Sequence, residues 1–155
     1  LGDFFKTVIP CFLVRILFGS QPDYLYVWIL YAGFGVILGH NFPFYLNFKG
    51  GKGIAATAGI VTSLDWRLML LCLAAFVLVV AVTRYVSLGS LIVSTILVVW
   101  NVVMGQMGAY GLSAAARPEF YGISAVIAAM AFWRHRANIV RLVQGKENKV
   151  GAKKK

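Results

Sequence analysis

Gly39-His40-Asn41-Phe42-Pro43-Phe44-Tyr45-Leu46-Asn47-Phe48-Lys49-Gly50-Gly51-Lys52-Gly53-Ile54-Ala55-Ala56-Thr57-Ala58-Gly59 lies between apolar segments, and how the chain passes through it decides the fold. It holds one of the two histidines, two lysines and a Lys-Gly-Gly-Lys-Gly core. A glycine run before a helix start rich in small residues leaves backbone N–H groups free to point at an anion. The helix dipole and the two lysines add positive potential there. These residues point to a phosphate or carboxylate site at a membrane surface. They do not make a Walker A loop, which needs Gly where Leu46 stands and Ser or Thr where Gly53 stands. The plainer reading is a basic loop that follows the positive-inside bias.

Beyond the loop, Ile54 to Leu64 is apolar but only about 16 Å long as a helix. That is about half of a hydrocarbon core. Asp65-Trp66-Arg67 marks an interface, Leu68 to Thr83 is a clear span, and Thr83 to Ser90 reads as a short break. Val86 to about Gln106 is the strongest span, with Asn101 as its one intramembrane amide. Met107 to Pro118 reads as a loop, and Pro118 suits the first turn of a short final span to Trp133. Before the loop, Tyr24 to Gly39 is an apolar run that opens on an interfacial aromatic belt, Tyr24, Tyr26, Trp28 and Tyr31. Gln21-Pro22-Asp23 is a turn. Residues 1–19 form a weak span that Pro10 should kink, and its Arg15 must snorkel or face a protein interior.

Composition agrees. Of 155 residues, 60% are hydrophobic, and the mean hydropathy is +0.79. A soluble core of this size could not hide these runs. The expected fold is therefore all-α: one polytopic membrane bundle of about six segments, one of them short or half-length. The net charge of +10 would suggest nucleic acid in a soluble protein. Here eight of the fifteen Lys and Arg follow residue 133, so the excess reads as a basic cytoplasmic tail, about 134–155, facing anionic lipid rather than nucleic acid. Cys11 and Cys72 lie in apolar stretches, without spacing for a disulfide or zinc site. No basic, cleavable leader opens the chain, and its first residue is Leu rather than Met, which hints at a missing N-terminus.

Counting spans back from the basic tail puts Arg84 inside and Asp65 and Arg67 outside. If 54–64 crosses, Lys49 and Lys52 return to the side of Arg84 and the tail. If it is re-entrant, they lie on the opposite face. The positive-inside bias favours crossing, and a half-length crossing is tolerable where its polar ends are buried or line a watery cavity.

A third constellation is Trp133-Arg134-His135-Arg136-Ala137-Asn138-Ile139-Val140-Arg141-Leu142-Val143-Gln144-Gly145-Lys146-Glu147-Asn148-Lys149. On a helix, His135 and Asn138 share one face. His135 is tunable near neutral pH, and Asn138 can donate and accept.

The run Gly39-His40-x-Phe42-Pro43-x-x-Leu46-x-Phe48-Lys49-Gly50-Gly51-Lys52-Gly53 resembles the second signature of the PlsY-type acyl-phosphate:glycerol-3-phosphate acyltransferases, bacterial integral membrane enzymes that make lysophosphatidic acid. The third constellation resembles that family's final signature, His-Arg-x-Asn-Ile-x-Arg-Leu followed by Gly-x-Glu-x-Lys. Asp3-x-x-Lys6 and the segment around Arg84 to Ser90 are similar to family positions too. The resemblance covers essentially the whole chain, but the family's N-terminal span and first signature would lie upstream. That signature is expected to supply much of the acyl-phosphate pocket, so this stretch alone need not be active. The resemblance places all the signatures on the cytoplasmic side of the bacterial inner membrane. It implies a transfer from acyl phosphate to glycerol 3-phosphate that opens phospholipid synthesis, without a cofactor or metal, and an upstream enzyme that forms the acyl phosphate.

By that resemblance Lys52, Lys49, His135 and Asn138 hold glycerol 3-phosphate, and Gly50, Gly51 and Gly53 let the backbone approach a phosphate. Arg84 and Ser87 are further candidates, although a hydroxyl in a span more often bonds its own helix. His40 is either a reactant or a helix-end residue. Other chemistries have little support: there is no His-x4-Asp pair, no Gly-x-Ser-x-Gly elbow and no carboxylate pair, and neither Cys has a nearby base. An acyl phosphate fits that gap. It carries its own leaving group and needs positioning and charge stabilisation rather than a nucleophilic side chain. A small-solute or anion transporter, or a non-catalytic lipid-binding subunit, would also suit broken helices with a glycine loop, though the chain has no internal repeat. If the loop and the tail share a face, single cysteines at positions 52 and 135, with Cys11 and Cys72 replaced, label from the same side. Labelling from opposite sides would exclude a single-face site.

Overall fold

The computed structural model describes residues 2–151. Lys153, Lys154 and Lys155, part of the expected tail, lie outside the described residues. The described chain is all-helical: α1 Gly2–Phe18, α2 Pro22–Asn41, α3 Ile54–Leu64, α4 Trp66–Thr83, α5 Val86–Gln106, α6 Ala116–Arg134 and α7 Arg136–Val143, with one 3-10 turn at Phe44–Leu46. Of the six expected membrane segments, α2, α4 and α5 are long and apolar enough to cross a membrane by length and composition. The others are shorter or more polar and pack beside them. α1 continues through Pro10 to Phe18.

α2 is the central element. It packs on α1, α3 and α6 and buries Leu25, Val27, Ile29, Leu30 and Ile37. α4 lies outermost, burying only Leu68 and Cys72, while Leu73, Val77, Leu78 and Val82 stay exposed. So large an apolar face suits lipid rather than water. The amide of Asn101 is buried between α5 and α6, where it donates to Ser124 Oγ at 2.9 Å and accepts from the Tyr110 hydroxyl. It serves as a polar helix–helix contact, which accounts for the one amide within the strongest span.

The short α3 links the two ends of the bundle. Near its middle, Gly59 lies against Phe4 and Thr7 of α1. Near its end, the Ser63 carbonyl accepts from Arg15 Nη2 at 2.7 Å. α3 therefore runs alongside α1 and ends at Asp65, beside Arg15, Tyr26 and Tyr110. Its missing length is supplied by the loop before it. Gly50 N–H bonds the Asn41 carbonyl and Gly51 N–H bonds the His40 carbonyl, both at 3.2 Å. The chain thus folds back down the flank of α2, and by Gly53 it lies against Ile37, about 6 Å or one turn below the helix end.

Two expected boundaries shift. The break expected over Thr83–Ser90 shrinks to Arg84 and Tyr85, because Arg84 adopts φ 64° and closes α4 through its N–H on the Val80 carbonyl. The segment expected as a tail is also ordered against the bundle. α7 turns at His135, and residues 144–151 return so that Val150 N–H meets the Arg84 carbonyl at 2.9 Å. Glu147, an acid in a basic run, becomes buried there and draws the segment inward.

A Cβ at Gly59 would lie 2.7 Å from Thr7 Cβ and 2.9 Å from the Phe4 carbonyl oxygen. Gly59→Val should therefore destabilise the α1–α3 contact by about 1–3 kcal/mol, read as a lower thermal midpoint in detergent. Gly122→Ala in α6, where a Cβ meets nothing within 4 Å, should leave that midpoint unchanged or raise it.

Candidate functional site

Four segments meet at the end of the bundle where α2 and α6 finish. They enclose a cavity of about 460 Å³ lined by His40, Lys52, Gly53, Ser87, His135, Asn138 and Glu147, among others. Lys52 arrives on the returning loop, at the foot of α3. Ser87 comes from the first turn of α5. His135 stands at the junction of α6 and α7, Asn138 lies in the first turn of α7, and Glu147 sits on the returning segment.

These side chains form one network. Lys52 Nζ donates to Asn138 Oδ1 at 2.6 Å, and Asn138 Nδ2 donates to Glu147 Oε1 at 2.7 Å. Ser87 Oγ donates to the same oxygen at 3.1 Å, and Arg141 Nε donates to Glu147 Oε2 at 2.8 Å. The Glu147 carboxylate thereby fixes the orientation of the Asn138 amide, because one end must donate to the acid and the other is left to accept from Lys52. Burial alone pushes the Glu147 carboxyl up, but hydrogen bonds from Asn138, Arg141 and Ser87 outweigh it and hold the group below the usual Glu range. Lys52 is partly exposed. Its partial burial and the nearby Arg141 and Arg134 lower its pKa, against the opposing pull of Glu147.

His135 is 2% exposed. Its Nδ1 lies 2.8 Å from the Ala131 carbonyl oxygen. A carbonyl can only accept, so Nδ1 carries the proton and Nε2 keeps its lone pair. Burial is the largest influence and lowers the pKa; Lys52 lowers it further, while the Ala131 bond and Glu147 oppose. The imidazole is therefore neutral at pH 7, a buried acceptor beside a lysine. His135 does not lie within a helix as expected. It closes α6 and precedes α7, with φ −97° and ψ 5°. It still shares the cavity with Asn138, because the turn keeps both on the inner side.

The loop is held by Arg134, which donates to the Gly50 carbonyl at 2.6 Å and to the Gly51 carbonyl at 2.7 and 3.0 Å. Its guanidinium lies over the rings of Phe42 and Trp133. The amides of Gly50 and Gly51, expected to be free for an anion, are bonded to α2 instead. The glycines are needed for close approach: a Cβ on Gly51 would fall on the His40 ring, and Gly53 has φ 78°. His40 sits at the cavity rim, with Nδ1 3.1 Å from Lys6 Nζ and 3.2 Å from Asp3 Oδ1.

Of the residues chosen from sequence, Lys52, Gly53, Ser87, His135, Asn138 and His40 meet around one cavity, and Gly50 and Gly51 support it from behind. Lys49 is exposed and does not line it. Arg84 shares this end of the bundle, but its guanidinium holds the Val150 carbonyl at 2.6 and 3.0 Å. Sequence reasoning missed Glu147, Arg141 and Arg134 as site residues. Glu147 had a signal, as a lone acid in a run of bases. Arg134 had none, because a single arginine at the end of a span looks like any topology residue.

A second, apolar groove of about 590 Å³ adjoins the cavity and shares Ile54 and Phe76 with it. It runs between α3 and α4 along Ala58, Met69 and Leu73. Among the described residues, no cluster of His, Cys, Asp and Glu has the makings of a metal site. The arrangement can hold an anionic group at Lys52, offer Nε2 of His135 to a hydroxyl, and lay an apolar chain in the groove.

A sequence model described as "Glycerol-3-phosphate acyltransferase" matches residues 1–145. The glycerol-3-phosphate acyltransferase of Paramagnetospirillum magneticum is 38% identical over 150 residues, covering 97% of this chain and 66% of that protein. The one from Shouchella clausii is 37% identical over 153 residues, covering 99% and 70%. This chain thus spans about two thirds of the length of these relatives. The crystal structure of PlsY, an integral membrane glycerol 3-phosphate acyltransferase, in its glycerol 3-phosphate form superposes with a TM-score of 0.80 at 30% identity, covering 96% of this chain and 68% of that one. Its lysophosphatidic acid form gives 0.76.

The buried, proton-fixed imidazole gives a direct check. In NMR titrations the His135 ring should change charge below the ordinary histidine value of about 6.5. Lys52→Met should raise that midpoint, since the lysine charge opposes protonation. The same shift makes neutral His135 favour the folded state above about pH 6.5, a contribution lost as pH falls through the lowered value.

Proposed function

The chain belongs to the glycerol-3-phosphate acyltransferase family, and on that footing we propose that it transfers an acyl group from acyl phosphate to glycerol 3-phosphate. The observation that carries this reading is the junction of a basic cavity, organised on Glu147, with an apolar groove beside Lys52. Glycerol 3-phosphate places its phosphate at Lys52. The acyl chain lies along the groove, with its carbonyl at the boundary near Ile54 and Phe76. The hydroxyl donates to Nε2 of His135 as its oxygen attacks the acyl carbon. A new ester C–O bond forms, the bond from the acyl carbon to the phosphate oxygen breaks, and the departing phosphate ends with the proton. The products are lysophosphatidic acid and inorganic phosphate. The buried anion of Glu147 keeps Asn138 and Lys52 aimed without competing for the substrate, and no covalent acyl-enzyme is needed.

Charge asymmetry supports an orientation. Among the described residues, the cavity end carries nine Lys and Arg: Lys6, Lys49, Lys52, Arg84, Arg134, Arg136, Arg141, Lys146 and Lys149. The far end carries Arg15, Arg67 and Arg117 alone. The bacterial relatives support the inner membrane as its location, and by the positive-inside bias this asymmetry supports a cytoplasmic cavity. There glycerol 3-phosphate is soluble, and an upstream enzyme would supply the acyl phosphate.

Membranes bearing the full-length gene product, given acyl phosphate and glycerol 3-phosphate, should form lysophosphatidate. A charge-assisted hydrogen bond contributes about 1.5–3 kcal/mol, so Lys52→Met should lower kcat/KM for glycerol 3-phosphate roughly 10- to 100-fold. Lys153→Met, one charge among neighbours, should change little. Equal activity of Lys52→Met and wild type at equal expression would remove Lys52 from the site.

A further inference from the structure

A cavity at the far end of the bundle, also about 460 Å³, plays no part in the proposed reaction. Arg15, in the last turn of α1, reaches into it. Its guanidinium stacks over the Tyr26 ring at 5.3 Å and gives one hydrogen bond to protein, to the Ser63 carbonyl. Asp65 lines the same cavity but is taken by Arg67, which reaches it through Nε at 3.1 Å, Nη2 at 2.8 Å and its backbone N–H at 2.8 Å. Among the described residues, no carboxylate pairs with Arg15. A guanidinium has five N–H donors. Arg15 gives one of them to a backbone carbonyl, a partner of the kind membrane-helix charges use, and among the described residues its other donors have no protein acceptor.

The surroundings indicate which anion. One turn before Arg15, Phe12 lines the cavity and is 58% exposed along the outer face of α1. Trp66, 66% exposed at the cavity mouth, is an interfacial residue type. The site thus has two guanidiniums against one carboxylate, a net positive lining, and an apolar flank at Phe12. We propose that this cavity binds a membrane phospholipid, with its phosphate between Arg15 and Arg67 and an acyl chain along Phe12. Basic pockets between membrane helices recognise lipid headgroups in this manner. A free phosphate would use the arginines but gain nothing from the apolar flank.

The test uses the purified full-length protein in detergent, with dioctanoyl phosphatidylglycerol, dioctanoylglycerol and inorganic phosphate as probes. Binding is read by native mass spectrometry and by thermal midpoint. Wild type should hold one phosphatidylglycerol saturably and gain stability, while dioctanoylglycerol and inorganic phosphate do neither at the same concentration. Arg15→Gln should weaken the lipid about ten- to a hundredfold, Arg15→Lys should recover part of it, and Lys52→Met should leave it unchanged. If Arg15→Gln does not fold, Arg67→Gln takes its place and should weaken the lipid in the same direction. Unaltered affinity in the arginine variant that folds would overturn the proposal. So would an equal effect of inorganic phosphate, or loss of binding in Lys52→Met, which would move the lipid to the other cavity.

Discussion

An eleven-residue helix has to join two ends of a bundle whose other long helices have seventeen to twenty-one residues. That mismatch shapes this end of the molecule. The chain makes up the distance by folding the Gly50–Gly53 segment back along α2. An extended, non-helical backbone below the end of a membrane helix is stable only if its polar groups find partners within the protein. Here the amides of Gly50 and Gly51 use the last carbonyls of α2, and their carbonyls use Arg134. Satisfying the backbone and lowering Lys52 into the bundle are therefore the same event.

The electrostatics follow from that placement. Lys52, Arg134 and Arg141 crowd one end, and their mutual repulsion needs a buried anion. Glu147 is the acid that meets it, and its two oxygens are shared among Asn138, Ser87 and Arg141. One carboxylate thereby ties α5 and α7 to the returning segment. Because Asn138 lies between the acid and Lys52, the two charges are coupled through an oriented amide rather than neutralised by direct contact. Lys52 thus lines the cavity without a direct carboxylate partner among the described residues.

Local patterns in the sequence are sufficient for the helices. The apolar runs, the Gln21-Pro22-Asp23 turn and the short reach of Ile54–Leu64 each depend on neighbours within a few residues. His135, Asn138 and Lys52, which share one cavity, were legible as candidates because their signatures are unusual. Two things were not legible. Arg134 acts on glycines 83 and 84 positions away, and no periodicity encodes that pairing. The basic run after Trp133 resembled a solvated tail because Lys and Arg dominate it. Its return depends on Glu147 finding Ser87, 60 residues earlier. The same gap explains the glycine amides: their spacing shows that they can bend, but not which carbonyl they will meet.

The clasp of residues 147–150 on Arg84 and Ser87 has a consequence for biosynthesis. The helices are made and can enter the bilayer before Glu147 leaves the ribosome. Until it does, Asn138 lacks the partner that orients it, and the cations gathered at that end lack their counter-ion. A nascent chain halted after α7 would hold its spans yet lack an ordered site. Assembly of this pocket thus waits on a segment beyond α7, and membrane insertion of the helices by itself does not produce it.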